Sequence, residues 1–207
     1  MKGSWRKAIE TFRELRKFRR RNFGVYFGMT LSEHNTGRYE DNYRAAREEI
    51  PWLTYNDMHI NLAQSSAHYY GCSVSKNEKL NESYLNDIDQ VLSTRAFSIH
   101  PVRVLENDYI RLTKKYIHTG ITPLKCMAMK SSVFLDPYGD VFACSIWDRK
   151  LGNIRDFSGN LEKILNSPTA TEAKTAIEQF DCPNCWTPCE AYTAILARRS
   201  RFPFTIS

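Results

Sequence analysis

Residues 126–144 read CMAMKSSVFLDPYGDVFAC. Two runs rich in aromatic and β-branched residues flank Asp136-Pro137-Tyr138-Gly139, a sequence with turn chemistry at every position. The pattern predicts a β-hairpin over residues 130–145. The two arms of a hairpin bring its ends together, so Cys126, just before it, and Cys144, at its close, become neighbours. Downstream, LGNIRDFSGN (151–160) leads into helices expected over 161–167 and 169–180. The stretch CPNCWTPCEAYTAILARR (182–199) begins as a loop and ends as a helix.

The chain has six cysteines, Cys72, Cys126, Cys144, Cys182, Cys185 and Cys189, and five of them fall in the last 82 residues. Thiolates are soft ligands for zinc and for iron–sulfur clusters, and four close a site. Cys182 and Cys185 have the Cys-x-x-Cys spacing that lets two sulfurs on a loop converge. Joined to the hairpin pair, they make a four-thiolate site from Cys126, Cys144, Cys182 and Cys185, with Cys189 as the alternate ligand. Buried small hydrophobes and disulfides are weaker readings, because Cys182, Cys185 and Cys189 crowd among Pro, Asn and Thr. Spacing alone does not separate zinc from iron–sulfur. Cys72 stands apart and reads as an incidental thiol.

Upstream, SWRKAIETFRELRKFRR (4–20) reads as an amphipathic helix with Ser4 as N-cap and Trp5, Ala8, Ile9, Phe12 and Leu15 on its buried face. A strand is expected over 22–31, a helix over 38–50 closed by Pro51, a strand over 56–64, a linker over 73–83, and helices over 83–97 and 102–120, with Gly120 as a C-cap. Helix, strand, helix, strand is the rhythm of parallel α/β structure. Two strands do not complete such a sheet, so this part reads as a piece of a larger α/β domain.

Of the 207 residues, 42% are hydrophobic and 25% charged, as in an ordinary globular protein. No 18-residue apolar run and no signal peptide are present, which points to a cytoplasmic protein with reduced thiols. The net charge is +6, but it is local. Residues 1–22 carry nine Lys or Arg against two Glu, and the rest of the chain has 20 basic and 21 acidic residues. That basicity reads as the solvated side of one helix. A nucleic-acid partner is not expected, since no RNA-binding aromatic motif accompanies it.

The segment from Cys126 through Gly139 to Cys144, with twelve and then four residues between the landmarks, resembles the opening of the SPASM and twitch domains. These are the C-terminal auxiliary-cluster domains of radical S-adenosylmethionine (radical SAM) enzymes. FLDPYGDVFAC is similar to their hairpin, LGNI and LEKILNS to their Leu-Gly-Asn turn and short helix, and CPNCWTPC stands where their terminal cysteines stand. The likeness covers roughly residues 124–192. Upstream, GMTLSEHN and HINLAQSS resemble later strands of the radical SAM partial (β/α) barrel.

The resemblance implies an α/β chain in two parts. Residues 1–120 would be the C-terminal part of a partial barrel, a barrel fragment, plus linking helices. Residues 121–207 would be a small α+β SPASM/twitch-like domain with a β-hairpin and a cysteine-rich C-terminal segment. It implies an auxiliary [4Fe-4S] cluster, with five cysteines fitting the shorter one-cluster form. It also implies an oxidoreductase that modifies a peptide or small molecule. The Cys-x3-Cys-x2-Cys motif that holds the S-adenosylmethionine-cleaving cluster does not occur here. The chain therefore reads as a fragment, inactive alone, whose partners are the missing N-terminal barrel half or an electron donor.

Trp147 and Trp186 are candidates for shielding the cluster from water. Asn35, His59, Asn61 and His68, on or after the expected barrel strands, are candidates for an active-site face. Two other readings compete: a four-Cys structural zinc module that recruits a partner, and an anionic-surface binder using the basic helix. Hydrolytic chemistry has no support, for no Ser-His-Asp order or carboxylate pair stands out.

Overall fold

The computed structural model describes residues 3–18, 20, 23–71 and 80–200. Cys72, Arg19, Arg21 and most of the expected 73–83 linker lie outside the described residues. The architecture is mixed α/β: eight α-helices, a two-stranded sheet and a three-stranded sheet among the described residues. The chain forms two compact units, Met1–Ala63 with Asn81–Arg103, and Gln64–Leu80 with Val104–Ser207.

In the first unit, α1 (Ser4–Arg16) precedes β1 (Phe27–Leu31), α2 (Tyr39–Glu49), β2 (Met58–Leu62) and α4 (Glu82–Thr94). β1 and β2 pair in parallel, Phe27 against Met58 through Leu31 against Leu62. Met29 and Leu31 of β1 and Met58, Ile60 and Leu62 of β2 are buried, the period-2 signature of a half-covered sheet. The opposite face carries Gly28, Thr30, His59 and Asn61.

Three expectations change here. The N-cap is Gly3, at φ 84°, not Ser4, which is the first helical residue. Only Ile9 and Phe12 of the α1 stripe are buried, while Trp5, Ala8 and Leu15 stay exposed, because two strands offer too little surface to cover the whole stripe. Asn22 lies outside the described residues, and over 23–31 the expected strand shortens to Phe27–Leu31, where a partner strand exists to pair with it.

Asp87 of α4 is fully buried and organises the start of α2. It accepts from the Gly37 and Tyr39 amides at 2.6 and 3.0 Å and from the Thr36 hydroxyl at 3.3 Å. An acceptor from another helix thus serves the free N–H groups that every helix start leaves.

In the second unit, α3 (Ala67–Tyr70) is a single helical turn. α5 (Pro101–Thr119), which belongs to this unit from Val104 onward, ends at Gly120, φ 66°, as a left-handed C-cap should. β3 (Phe134–Leu135) and β4 (Asp140–Phe142) form the expected hairpin, and β5 (Lys150–Asn153) adds a third antiparallel strand. α6 (Leu161–Leu165), α7 (Pro168–Glu178) and α8 (Pro188–Ser200) follow.

The hairpin turn is closed by Asp136, whose side chain accepts from the Tyr138 and Asp140 amides at 2.9 and 2.8 Å. Gly139 sits at φ 88°, and a Cβ there would stand 2.8 Å from the Arg155 guanidinium. Asn153 on β5 donates to Asp140 at 2.6 Å and ties the third strand to the turn. Beneath the sheet, Val141, Ala143, Ile146, Leu151, Ile164, Ala170, Ala173 and Ile177 form one apolar core, against which Cys126, Cys144, Cys182 and Cys185 also pack.

Candidate metal centre

Four cysteines line one narrow cavity: Cys126, Cys144, Cys182 and Cys185. The hairpin brings the first two together. The last two sit on the loop after α7, where left-handed residues at Phe180 (φ 61°) and Asn184 (φ 53°) reverse the chain. The Asn184 amide holds that reversal by donating to the Phe180 and Cys182 carbonyls at 2.8 and 3.0 Å. Asn is one of the few non-glycine residues that tolerate this backbone region. Thr122 donates to the Cys185 carbonyl at 2.7 Å and fastens the loop from the other side. Ile146, Trp147, Ile177 and Phe180 give the cavity apolar walls.

Each of the four sulfurs faces backbone N–H groups a short step downstream. Ala128 N–H donates to Cys126 at 3.4 Å, and Trp147 N–H to Cys144 at 3.3 Å. The Asn184 and Thr187 amides serve Cys182 and Cys185 in the same way. Four times, then, a cysteine is followed two or three residues later by an amide turned back on its sulfur. Such donors favour a sulfur that carries negative charge. Cys189 has no such downstream donor, is exposed at the start of α8, and does not line the cavity.

As free thiols these groups resist ionisation. Burial pushes the Cys126 thiol up to about 11 and the Cys144 thiol up to about 12, against the opposing pull of the amides. Burial and the neighbouring Cys144 and Cys126 push Cys185 up strongly. Burial raises Cys182 and Cys189 as well. Metal ligation would remove those protons.

Sequence reasoning missed Glu190. It lines the same cavity, is 7% exposed, and accepts from the Ser132 hydroxyl at 3.1 Å. Burial raises its pKa, and its charge in turn disfavours ionised Cys126, Cys144, Cys185 and Cys189. The available signal was its place in the first turn of a helix beginning within the cysteine cluster.

The other candidates separate. Trp147 lines the cavity; Trp186 does not. Trp186 is buried against α5, stacked on Tyr109 at 5.8 Å, with its indole N–H on the Thr113 hydroxyl at 3.1 Å. Asn35 closes the loop after β1, accepting from the Ser32 amide at 2.8 Å and donating to the Thr30 carbonyl at 2.9 Å. His59 and Asn61 share the half-buried face of β2, with Asn61 Oδ1 buried.

His68 is not with them. It belongs to the second unit, beside the cysteines: Nδ1 meets the Asp148 carboxylate and Nε2 donates to the Cys144 carbonyl at 3.0 Å. Burial opposes ionisation of Asp148, but hydrogen bonds from the His68 ring and from the His68 and Ala67 amides outweigh it and hold the carboxyl below its ordinary value.

The donor set suits a metal group: four thiols, a ring of N–H donors, and two buried polar atoms with no partner beside the loop, Asn184 Oδ1 and Thr187 Oγ1. The cavity that the four cysteines line is narrow, with a volume of about 20 Å3. Among the described residues, no three His, Cys, Asp or Glu side chains converge as a ready-made metal site.

No curated protein and no solved structure matches the chain. A family model does: residues 126–189 match SPASM, described as an iron–sulfur cluster-binding domain. The match opens on Cys126, closes on Cys189 and spans the hairpin and the cysteine loop, so this part of the chain is similar to an iron–sulfur cluster-binding domain.

Proposed function

We propose that Cys126, Cys144, Cys182 and Cys185 hold one [4Fe-4S] cluster, and that the chain is the auxiliary-cluster part of a radical SAM oxidoreductase acting on a peptide or small molecule in the cytoplasm. One observation carries the ligand assignment: these four sulfurs share a cavity and a downstream N–H donor each, and Cys189 has neither. The likeness of residues 126–189 to an iron–sulfur cluster-binding domain favours a cluster over zinc. A single zinc ion needs all four sulfurs about 2.3 Å from one point.

When bound, the cluster supplies one-electron chemistry. The chain's own residues do the rest. The amides of Ala128, Trp147, Asn184 and Thr187 stabilise thiolate charge. Trp147, Ile146 and Ile177 keep water from the sulfurs. Glu190 places a carboxyl beside them. Cleavage of S-adenosylmethionine calls for a Cys-x3-Cys-x2-Cys segment, a spacing that this sequence does not contain, so that cofactor belongs to a barrel half supplied outside these residues. The parallel pairing of β1 and β2 in the first unit supports reading it as a piece of that barrel.

Anaerobic reconstitution with iron and sulfide tests the reading. The protein turns brown with broad visible absorption, and iron and sulfide analyses give four of each per chain. A colourless protein holding one zinc per chain overturns it. Conversion of any one of the four proposed ligands to Ala lowers bound iron severalfold, whereas Cys189→Ser leaves it unchanged.

A further inference from the structure

Residues 66–68 are stitched to the end of the cysteine hairpin by more polar contacts than one helical turn needs. The Ser66 hydroxyl, fully buried, donates to the Ser145 carbonyl at 3.0 Å. The Ala67 and His68 amides donate to the two Asp148 oxygens at 3.1 and 2.9 Å. The His68 ring lies flat on Phe142 at 4.2 Å, with Phe134 edge-on at 5.1 Å. Packing on two faces and hydrogen bonds at both nitrogens fix the ring in one orientation, and its side chain is 5% exposed.

A carbonyl oxygen only accepts, so the contact at Cys144 fixes a proton on His68 Nε2. That N–H points at the peptide unit of a cysteine whose sulfur faces the cavity. A carboxylate likewise only accepts, so Nδ1–H donates to Asp148 and fixes the ring from the other side. The arrangement is a carboxylate–imidazole–ligand chain of the kind that orients metal ligands, except that it grips the ligand's backbone.

Resting on the cluster reading above, we propose that His68 is a positioning residue for the cluster: held by Asp148, its Nε2–H sets the orientation of Cys144 and places the positive end of a dipole near the ligand. Two consequences follow. The donor stabilises the more negative, reduced state of the cluster, so its loss shifts the reduction potential to more negative values. It also restrains the ligand, so its loss speeds release of the cluster.

The test compares His68→Gln with His68→Asn in the full chain. A Gln amide reaches the Nε2 position and keeps a donor for the Cys144 carbonyl. An Asn amide reaches only the Nδ1 position and keeps the Asp148 contact alone. Each reconstituted variant is read by redox titration, by the electron paramagnetic resonance of the reduced cluster, and by the rate of iron loss to a chelator, with thermal melting as a fold check. The expected result is a potential and spectrum close to wild type for His68→Gln. For His68→Asn, a negative shift, an altered spectrum and severalfold faster iron loss are expected. Equal behaviour of the two variants, whether both unchanged or both perturbed, overturns the proposal. If wild-type protein itself takes up no cluster, the failure belongs to the function reading and not to His68.

Discussion

Gly139 shows how one position can be dictated by its backbone. At φ 88° it is strained for any residue with a Cβ. Gly139→Ala is expected to cost about 1–2 kcal/mol, by the usual penalty of the left-handed region, and to lower the urea midpoint. The close Arg155 contact adds less, since a flexible side chain can yield. The thiols allow a sharper residue-level test. With Cys126 and Cys144 raised to about 11 and 12, almost none of either is thiolate near pH 8. Iodoacetamide added to the metal-free protein should mark exposed Cys189 well before them, as peptide mass spectrometry would record. Comparable labelling of all five described cysteines would contradict the buried placement. The cysteine positions were legible in the sequence because Pro, Gly and spacing mark them. Glu190 and the partners of His68 were not, because a carboxylate's burial and a contact between residues 68 and 144 exist only after folding.

Among elements, the loop carrying Cys182 and Cys185 depends on two anchors, the Thr122 hydroxyl and Trp186. Trp186→Ala is expected to destabilise the fold by about 3–5 kcal/mol, as for other buried aromatic truncations, and to weaken iron retention because the loop is freed from α5. Chemical denaturation and iron analysis read the two effects separately. Asp87→Ala removes one acceptor from three donors at the start of α2. A cost of about 1–3 kcal/mol is expected from buried groups left unpaired, with no change in iron content. The hairpin, the short helix after it and most upstream helices were readable from turn residues and periodicity. β5, α3 and the exposed half of the α1 stripe were not. β5 exists because β4 offers it an edge, and α3 because Asp148 accepts its first amides. Neither partner is visible locally.

At the scale of the whole molecule, the raised thiols make the metal-free protein sensitive to alkali. A thiol whose folded pKa lies above the ordinary 9.0 stabilises the fold fully below pH 9. That contribution is lost as pH rises through the folded values of about 11 and 12. Melting temperature of the metal-free protein should therefore fall above pH 9, and iron loading should blunt the fall because bound sulfurs have already lost their protons. Below neutrality the sign reverses for the loaded form, since protons compete with iron for the sulfurs and acid favours release. The described helices include none long and apolar enough to cross a membrane.

The chain passes between its two compact units three times, after residues 63, 80 and 103. The stretch that matches a known domain, 126–189, is therefore not a unit that scissors could free. It borrows His68 and Ser66 from far upstream, and Tyr109 and Thr113 from the helix before it. A polypeptide begun at residue 121 would keep every cysteine of the cavity and lose the side chains that brace them. Grafting this region onto another protein would transplant the ligands without their scaffold, so homology and physical autonomy part company here.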